Sequence, residues 1–228
     1  MTTVVMDALS HQAIRAAGSE GEFYRAAPER SGHWKGRRLT GLEHMLADLG
    51  HRFLVARPDN QTLAVAGLLI IASRSQDLPF TPSELDAIRD FVRNGGGLLL
   101  MANHRHFISP QQQVALALDL PFGFIDATIA GFPGIELSRH ELTAGCDSIV
   151  VRNSSSIAAG PGAIAIAHFT ADSRHRFAVA AEAGKGRVVG TGDSGFMASS
   201  DDTGRDMFAS GSNATFIANC VRWLAPAA

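Results

Sequence analysis

Thr81-Pro-Ser-Glu-Leu-Asp-Ala-Ile-Arg-Asp-Phe-Val-Arg-Asn-Gly-Gly-Gly-Leu-Leu-Leu-Met101 is the stretch that decides the fold. It opens with a capping box. The Thr81 hydroxyl accepts an early backbone N–H that has no partner inside the helix, and Glu84 reaches back to the start. Pro82 takes the first helical position, where a missing N–H costs nothing. Leu85, Ile88 and Val92 recur at helical spacing and form one apolar face. Asn94-Gly95-Gly96-Gly97 stops the helix, and Leu98 to Met101 follows as a strand. The glycines are read as a helix stop rather than a phosphate loop.

The same punctuation extends to both sides. Thr3 to Met6 reads as a first strand ending at Asp7. The polar connection Ser10 to Arg38 is long for a βα loop, so part of it (Glu20 to Ala27) is a helix candidate and part is expected to fold over a site. Thr40-Gly-Leu-Glu43 looks like a second capping box, with Leu42, Met45, Leu46 and Leu49 as the apolar face and Gly50 as the stop. His51 to Ala56 is the second strand. Leu63 to Ala72 is the third, a nearly continuous apolar run expected of a parallel strand covered on both faces. Strand, helix, strand, strand, helix, strand is the order of a doubly wound, mostly parallel sheet with helices on both faces.

The second half reads as richer in strands: Ser148 to Arg152, Ala163 to Ala167, and Arg176 to Ala183. Gly184-Lys185-Gly186 turns into Arg187 to Thr191. No helix follows those glycines, so they predict a β-hairpin near the C-terminus. A last helix begins at about Asn213 and lines up Phe216, Ile217, Cys220, Val221 and Leu224. With no repeat or low-complexity linker, residues 1–228 are expected to form one α/β domain.

Composition bounds the function. A chain of 228 residues supports one substantial core, and 46% hydrophobic against 18% charged residues is a globular mix. A net charge of -2 argues against a nucleic-acid partner, which needs a basic excess. The basic run Lys35-Gly36-Arg37-Arg38 reads as a solvated loop. No apolar stretch reaches the ~20 residues of a membrane span. The start of the chain lacks a secretory pattern, so the expectation is a cytoplasmic protein with no membrane partner. Cys146 and Cys220 make neither a disulfide framework nor a metal knuckle. Cys220 lies in an apolar stripe, where a thiol is inert, and Cys146 precedes a strand, at the wrong end for chemistry.

Three segments together carry a resemblance: Phe80 to Met101, Gly184-Lys-Gly-Arg-Val-Val-Gly-Thr-Gly-Asp-Ser-Gly-Phe196, and Asn213 to Leu224, with Asp7 and His11 after the first strand. The chain resembles the class I glutamine-amidotransferase-like superfamily. It is closest in pattern to the non-amidotransferase branches, the ThuA-like proteins and the domains of gliding-motility and intraflagellar-transport components. The resemblance implies a flavodoxin-like sheet. It also implies a Gly-x-Cys-x-Gly elbow after the strand Leu98–Met101, where this chain has Ala102-Asn103-His104-Arg105-His106. The catalytic His and Glu of amidotransferases correspond to a turn that here reads Asp193-Ser194. With the Cys-His-Glu triad absent, glutamine hydrolysis is not expected.

Ligands of open α/β sheets bind outside the carboxyl ends of the strands. The residues expected there are Asp7, His11, Ser73, Arg74, Asn103, His104, His106, Asp193 and Ser194, bordered by Asn213 at the start of the last helix. Three readings of the histidines stay open. They hold a divalent metal, with His104, His106 and Asp193 as ligands. One of them, His104, is a general base oriented by Asp193. Or they line a pocket and cap the next helix through ordinary hydrogen bonds. The leading expectation is a site for a small polar ligand, sugar-like or carboxylated, with hydrolase chemistry as an extension and no cofactor. The alternatives are a non-catalytic protein-interaction domain and a metal-dependent enzyme. A homodimer is a candidate by analogy only.

Overall fold

A computed structural model describes residues 1–13, 39–199 and 204–226. The helix expected over Glu20–Ala27 and the basic run Lys35–Arg38 lie outside the described residues. Ten strands form one sheet among those described. They are β1 (Thr3–Asp7), β2 (Arg52–Ala56), β3 (Ala66–Ala72), β4 (Gly97–Met101), β5 (Phe122–Ile129), β6 (Ile135–Leu137), β7 (Ser154–Ala159), β8 (Ile164–Phe169), β9 (Asp172–Ala183) and β10 (Gly186–Thr191). The helices are α1 (Thr40–Asp48), α2 (Asn60–Leu63), α3 (Pro82–Arg93), α4 (Ser109–Ala117) and α5 (Asn213–Leu224).

The order β2-β1-β3-β4-β10 is parallel throughout, the flavodoxin-like arrangement. β9 adds to it antiparallel through the Gly184–Lys185 hairpin, and β7, β5, β8 and β6 continue the antiparallel half. The period of two explains why the strands read as unbroken apolar runs. Val4, Met6, Leu68, Ile70, Leu99 and Met101 enter one core, with α1 and α5. Val5, Leu69, Ile71, Leu98 and Leu100 enter the other, with α3 and α4. No helix among the described residues is long and apolar enough to cross a membrane.

The Thr81 capping box forms as expected, with both reciprocal bonds present. Thr81→Ala is expected to cost about 1 kcal/mol, measured by urea unfolding. The second capping box does not form: Leu39 is the N-cap, Thr40 is already helical, and no cap side chain bonds there. Its work is done from a distance, since the Gly41 N–H donates to Ser199 Oγ at 2.7 Å. The third strand starts at Ala66 rather than Leu63, because the Asp59 side chain accepts from Thr62 N and winds α2. Ser148–Arg152 is not a strand. Asn213 takes up both the N–H and the C=O of Val150, so a side-chain amide stands where a neighbouring strand would. The neighbouring strand is instead β7, whose three serines hide it from an apolar pattern.

Candidate functional site

Strand order reverses between β1 and β3, the switch point at which flavodoxin-like sheets open a crevice. In this chain its own turn fills that crevice. The Asp7 carboxylate accepts from Leu9 N at 3.2 Å and from Ser10 Oγ at 3.3 Å. Ser10 Oγ in turn accepts from Ala72 N at 2.9 Å, and Ser10 pairs with Arg74 in an antiparallel bridge. The His11 N–H donates to the Ser73 carbonyl at 2.9 Å. Asp7, Ser10, Gln12, Ser73 and Arg74 are all fully buried.

A charge cluster underlies the turn. Arg74 donates to both oxygens of Glu84, at 3.1 and 3.3 Å, while its guanidinium stacks 4.0 Å over the Phe80 ring. Arg57 reaches Glu84 from the partly exposed side at 2.8 Å. Burial works against the Glu84 charge. The bonds from Arg74, from the Thr81 N–H and from Arg57 nevertheless hold its pKa down at about 2. Asp7 is less well served: Arg74 Nε stands 3.6 Å from Oδ2, and burial keeps this carboxyl above its ordinary range despite the cation.

Next to this cluster a chain of hydroxyls ties three segments together. Ser73 Oγ is 2.6 Å from the Ala102 carbonyl and 2.6 Å from Ser194 Oγ, and Gln12 Nε2 donates to Ser194 Oγ at 3.1 Å. Each hydroxyl has one proton, and the Ala102 carbonyl can only accept. The Ser73 hydroxyl is the donor shared between the Ala102 carbonyl and Ser194 Oγ, and Ser194 Oγ accepts from both Ser73 and Gln12. Ser73 is held in the left-handed region, at φ 65°, by these contacts and by its own N–H to Met101. Ser194 is fully buried and its oxygen accepts from Ser73 and Gln12, so it is not presented as a nucleophile. A double-mutant cycle of Ser73→Ala and Ser194→Ala is expected to show a coupling of about 1 kcal/mol in unfolding free energy. Additive losses would mean that the two hydroxyls do not act as one unit.

Asp193 lies beside Ser194 and is 1% exposed. Its Oδ1 accepts from Gly195 N at 2.8 Å, whereas Oδ2 has no hydrogen-bond partner among the described residues. Burial raises its pKa to about 7. The backbone N–H groups of Gly195, Ser194, Arg152 and Phe196 hold it from rising further. The Gly195 N–H makes a full hydrogen bond, and the other three N–H groups act as dipoles at longer range. None of these partners is the His104 ring, so an Asp193-oriented general base is not assembled in this arrangement.

What faces outward at the strand tips is aromatic. The His11 ring lies 4.6 Å from that of Phe107, and the His104 ring packs edge-on against the same phenyl at 5.5 Å. All three are half-buried. Asn103 Oδ1 accepts the His104 N–H at 2.7 Å and sets the loop's direction. Burial, then the neighbouring His106, push the His104 pKa down, so the ring is neutral at pH 7. His106 points elsewhere: it is exposed, with Nδ1 3.3 Å from Gln76 Nε2. Among the described residues no three His, Cys, Asp or Glu side chains come together to hold a metal ion. His104, His106 and Asp193 are not brought into such a group: His106 is exposed against Gln76, and Asp193 is buried in its own turn.

Asn213 is fully buried and spends its amide on Val150 and on the Met207 carbonyl, at 2.7–2.9 Å, so it braces α5 rather than facing the rings. Cys220 is buried and Cys146 is half-buried, and burial raises the pKa of both thiols. Ser10, Gln12, Glu84 and Phe107 were not singled out as site residues from the sequence. Glu84 was legible only as a cap, and Gln12 carried no local signal at all.

No protein-family model matches the chain, and no curated protein sequence matches it. Solved structures do. The N-terminal domain of mmIFT52 superposes with a TM-score of 0.68 at 12% identity, covering 99% of this chain and 98% of that one. The cytoplasmic protein STM3548 from Salmonella typhimurium gives 0.65 at 14% identity, over 99% of both chains. A ThuA-like protein from Bacteroides uniformis ATCC 8492 gives 0.61 at 12% identity, over 97% of this chain and 90% of that one. The chain has their fold. The resemblance carried by Phe80–Met101 and Gly184–Phe196 to the non-amidotransferase branch is thus matched by structures spanning nearly its whole length. At such identities the likeness speaks for architecture alone.

Proposed function

We propose that this pseudo-amidotransferase-type domain binds a small, neutral, sugar-like ligand on the His11–Phe107–His104 rings, without covalent chemistry. One observation carries the reading: these partly exposed rings sit at the carboxyl ends of the strands, above a floor whose hydroxyls and charges are already engaged with one another. An aromatic face flanked by two imidazoles offers an apolar surface with a few directional polar atoms, which suits the face of a pyranose and its hydroxyls. A carboxylated ligand is less well served. Among the described residues the cation nearest the switch point, Arg74, is buried and committed to Glu84 and Asp7. Hydrolysis finds little support either, since Ser73 and Ser194 are fully buried and bonded to each other.

Calorimetry with D-galactose, D-glucose and D-mannose, each against its uronate, tests this. At least one neutral hexose is expected to bind, and Phe107→Ala to weaken it about tenfold, or about 1.4 kcal/mol. Preference for the uronates, or binding that ignores Phe107, would overturn it. His104→Ala is expected to lower the same affinity while leaving the unfolding free energy within about 0.5 kcal/mol of wild type, because its ring is half-exposed. A second reading, a protein-interaction domain, is favoured by Phe132, 52% exposed with the Arg205 guanidinium 4.8 Å over its ring.

A further inference from the structure

The turn Gly192–Gly195 is a junction. Its Gly192 carbonyl accepts from both N and Oγ of Ser155 on β7, its Gly192 N–H donates to Phe177 on β9, and its Ser194 Oγ holds Gln12 and Ser73. A side chain on Gly192 would collide with the Ser155 carbonyl, so the turn lies directly against β7. At the middle of this junction sits a carboxyl that is 1% exposed and has one oxygen without a hydrogen-bond partner among the described residues. Protonated, such a group is tolerable. Ionised, it is a buried charge held by backbone dipoles, with one oxygen left without a hydrogen bond among the described residues.

We propose that the Asp193 turn is a proton-controlled latch on the His11–Ala13 segment, closed when the carboxyl is protonated and opened when the proton leaves to solvent. Opening lets Oδ2 reach water. Ser194, the next residue, is carried with it, and its bonds to Gln12 and Ser73 break. Gly192 and Gly195 bracket the moving pair and absorb the backbone change. Among the described residues, the charged or titratable groups on the elements around the turn are Arg152 before β7, Asp172, Arg174, His175, Arg176 and Glu182 on β9, Asp7 and Arg74 at the ends of β1 and β3, and His11 and His104 on the tip loops. Arg74 is committed to Glu84 and Asp7, and His104 is kept neutral. The influences on Asp193 are its burial and four backbone N–H groups, one of them from Arg152. The change falls near neutral pH.

Hydrogen exchange reads the latch without any ligand, so its failure is separable from failure of the binding proposal. The amides of His11, bonded to Ser73, and of Met197, bonded to Ser194, report the closed state. Protection factors, corrected for intrinsic rates, are expected to fall about tenfold between pH 5.5 and 8.5 in the wild type. They should stay constant in Asp193→Asn, which keeps the Gly195 bond without a charge. Ser194→Ala, which cuts the link to Gln12, should show low His11 protection at both pH values, and it decides the matter if Asp193→Asn does not fold. Wild-type protection that does not change with pH, or an equal fall in Asp193→Asn, would overturn the proposal. So would full His11 protection in Ser194→Ala.

Discussion

Arg74→Met is expected to destabilise the protein by about 3–5 kcal/mol, the usual cost of breaking a buried ion pair by removing one partner. Methionine fills much of the guanidinium's stem and still packs on Phe80, so the loss is chiefly electrostatic. Glu84 keeps Arg57 and the Thr81 cap, but it loses two charged bonds. Asp7 loses the cation nearest to it. Arg74→Lys separates charge from geometry: it restores the positive charge but not the fork that grips both Glu84 oxygens, and an intermediate loss is expected. The pH dependence follows from Glu84. A carboxyl held at about 2 in the folded state stabilises it above its unfolded value near 4.5, and that stability is lost as pH falls through this interval. In Arg74→Met the acid limb should shift upward, because less holds the Glu84 value down. Urea titrations between pH 2 and 8 measure both effects, and a loss below about 1 kcal/mol would mean that the cluster is not what closes the switch point.

Asp193→Asn should change the opposite limb. Here the folded pKa of about 7 lies above the ordinary 3.8, so the folded state binds the proton more tightly than the unfolded state. Stability from this group is complete below about 4 and is lost as pH rises through 7. The interval corresponds to a loss on the order of 4 kcal/mol if the carboxylate stays buried. If the turn opens at a lower cost, the loss stops at the cost of opening. Asparagine has no proton to lose and retains the Gly195 bond through its carbonyl oxygen. The variant is therefore expected to exceed the wild type in thermal midpoint at pH 8.5 and to match it or fall below at pH 4. Parallel curves for the two proteins would place the ionisation elsewhere.

The parallel half of the fold was legible because its signals are local. Thr81, Pro82 and Glu84 sit within one turn, and the runs Ala66–Ala72 and Gly97–Met101 are apolar because helices cover both faces. The antiparallel half was legible only in part: Ala163–Ala167, Arg176–Ala183 and the Gly184–Lys185 hairpin fall on β8, β9 and β10, whereas β5, β6 and β7 were missed, for a physical reason. β7 is built on Ser154, Ser155 and Ser156, which are buried through hydrogen bonds rather than through apolarity. The cap of α1 comes from Ser199, 158 residues away from Gly41. At the site, Asp7, His11, Ser73, Arg74, Asp193 and Ser194 could be placed at the strand tips by counting along each strand. What counting could not supply is burial: whether Ser194 faces solvent or Gln12 depends on a tertiary contact spanning 182 positions.

That distinction between a structural floor and a partly exposed ring surface is the core of the account. The most direct test compares Ser194→Ala with Phe107→Ala, reading urea unfolding and binding of the tightest neutral hexose on the same samples. Ser194→Ala is expected to lose about 1–2 kcal/mol of stability and to lose less hexose affinity than Phe107→Ala does, through the loosened His11 segment alone. Phe107→Ala should lose about tenfold in affinity. The opposite pattern, with affinity abolished by Ser194→Ala and untouched by Phe107→Ala, would place the ligand on the buried hydroxyls and contradict the account.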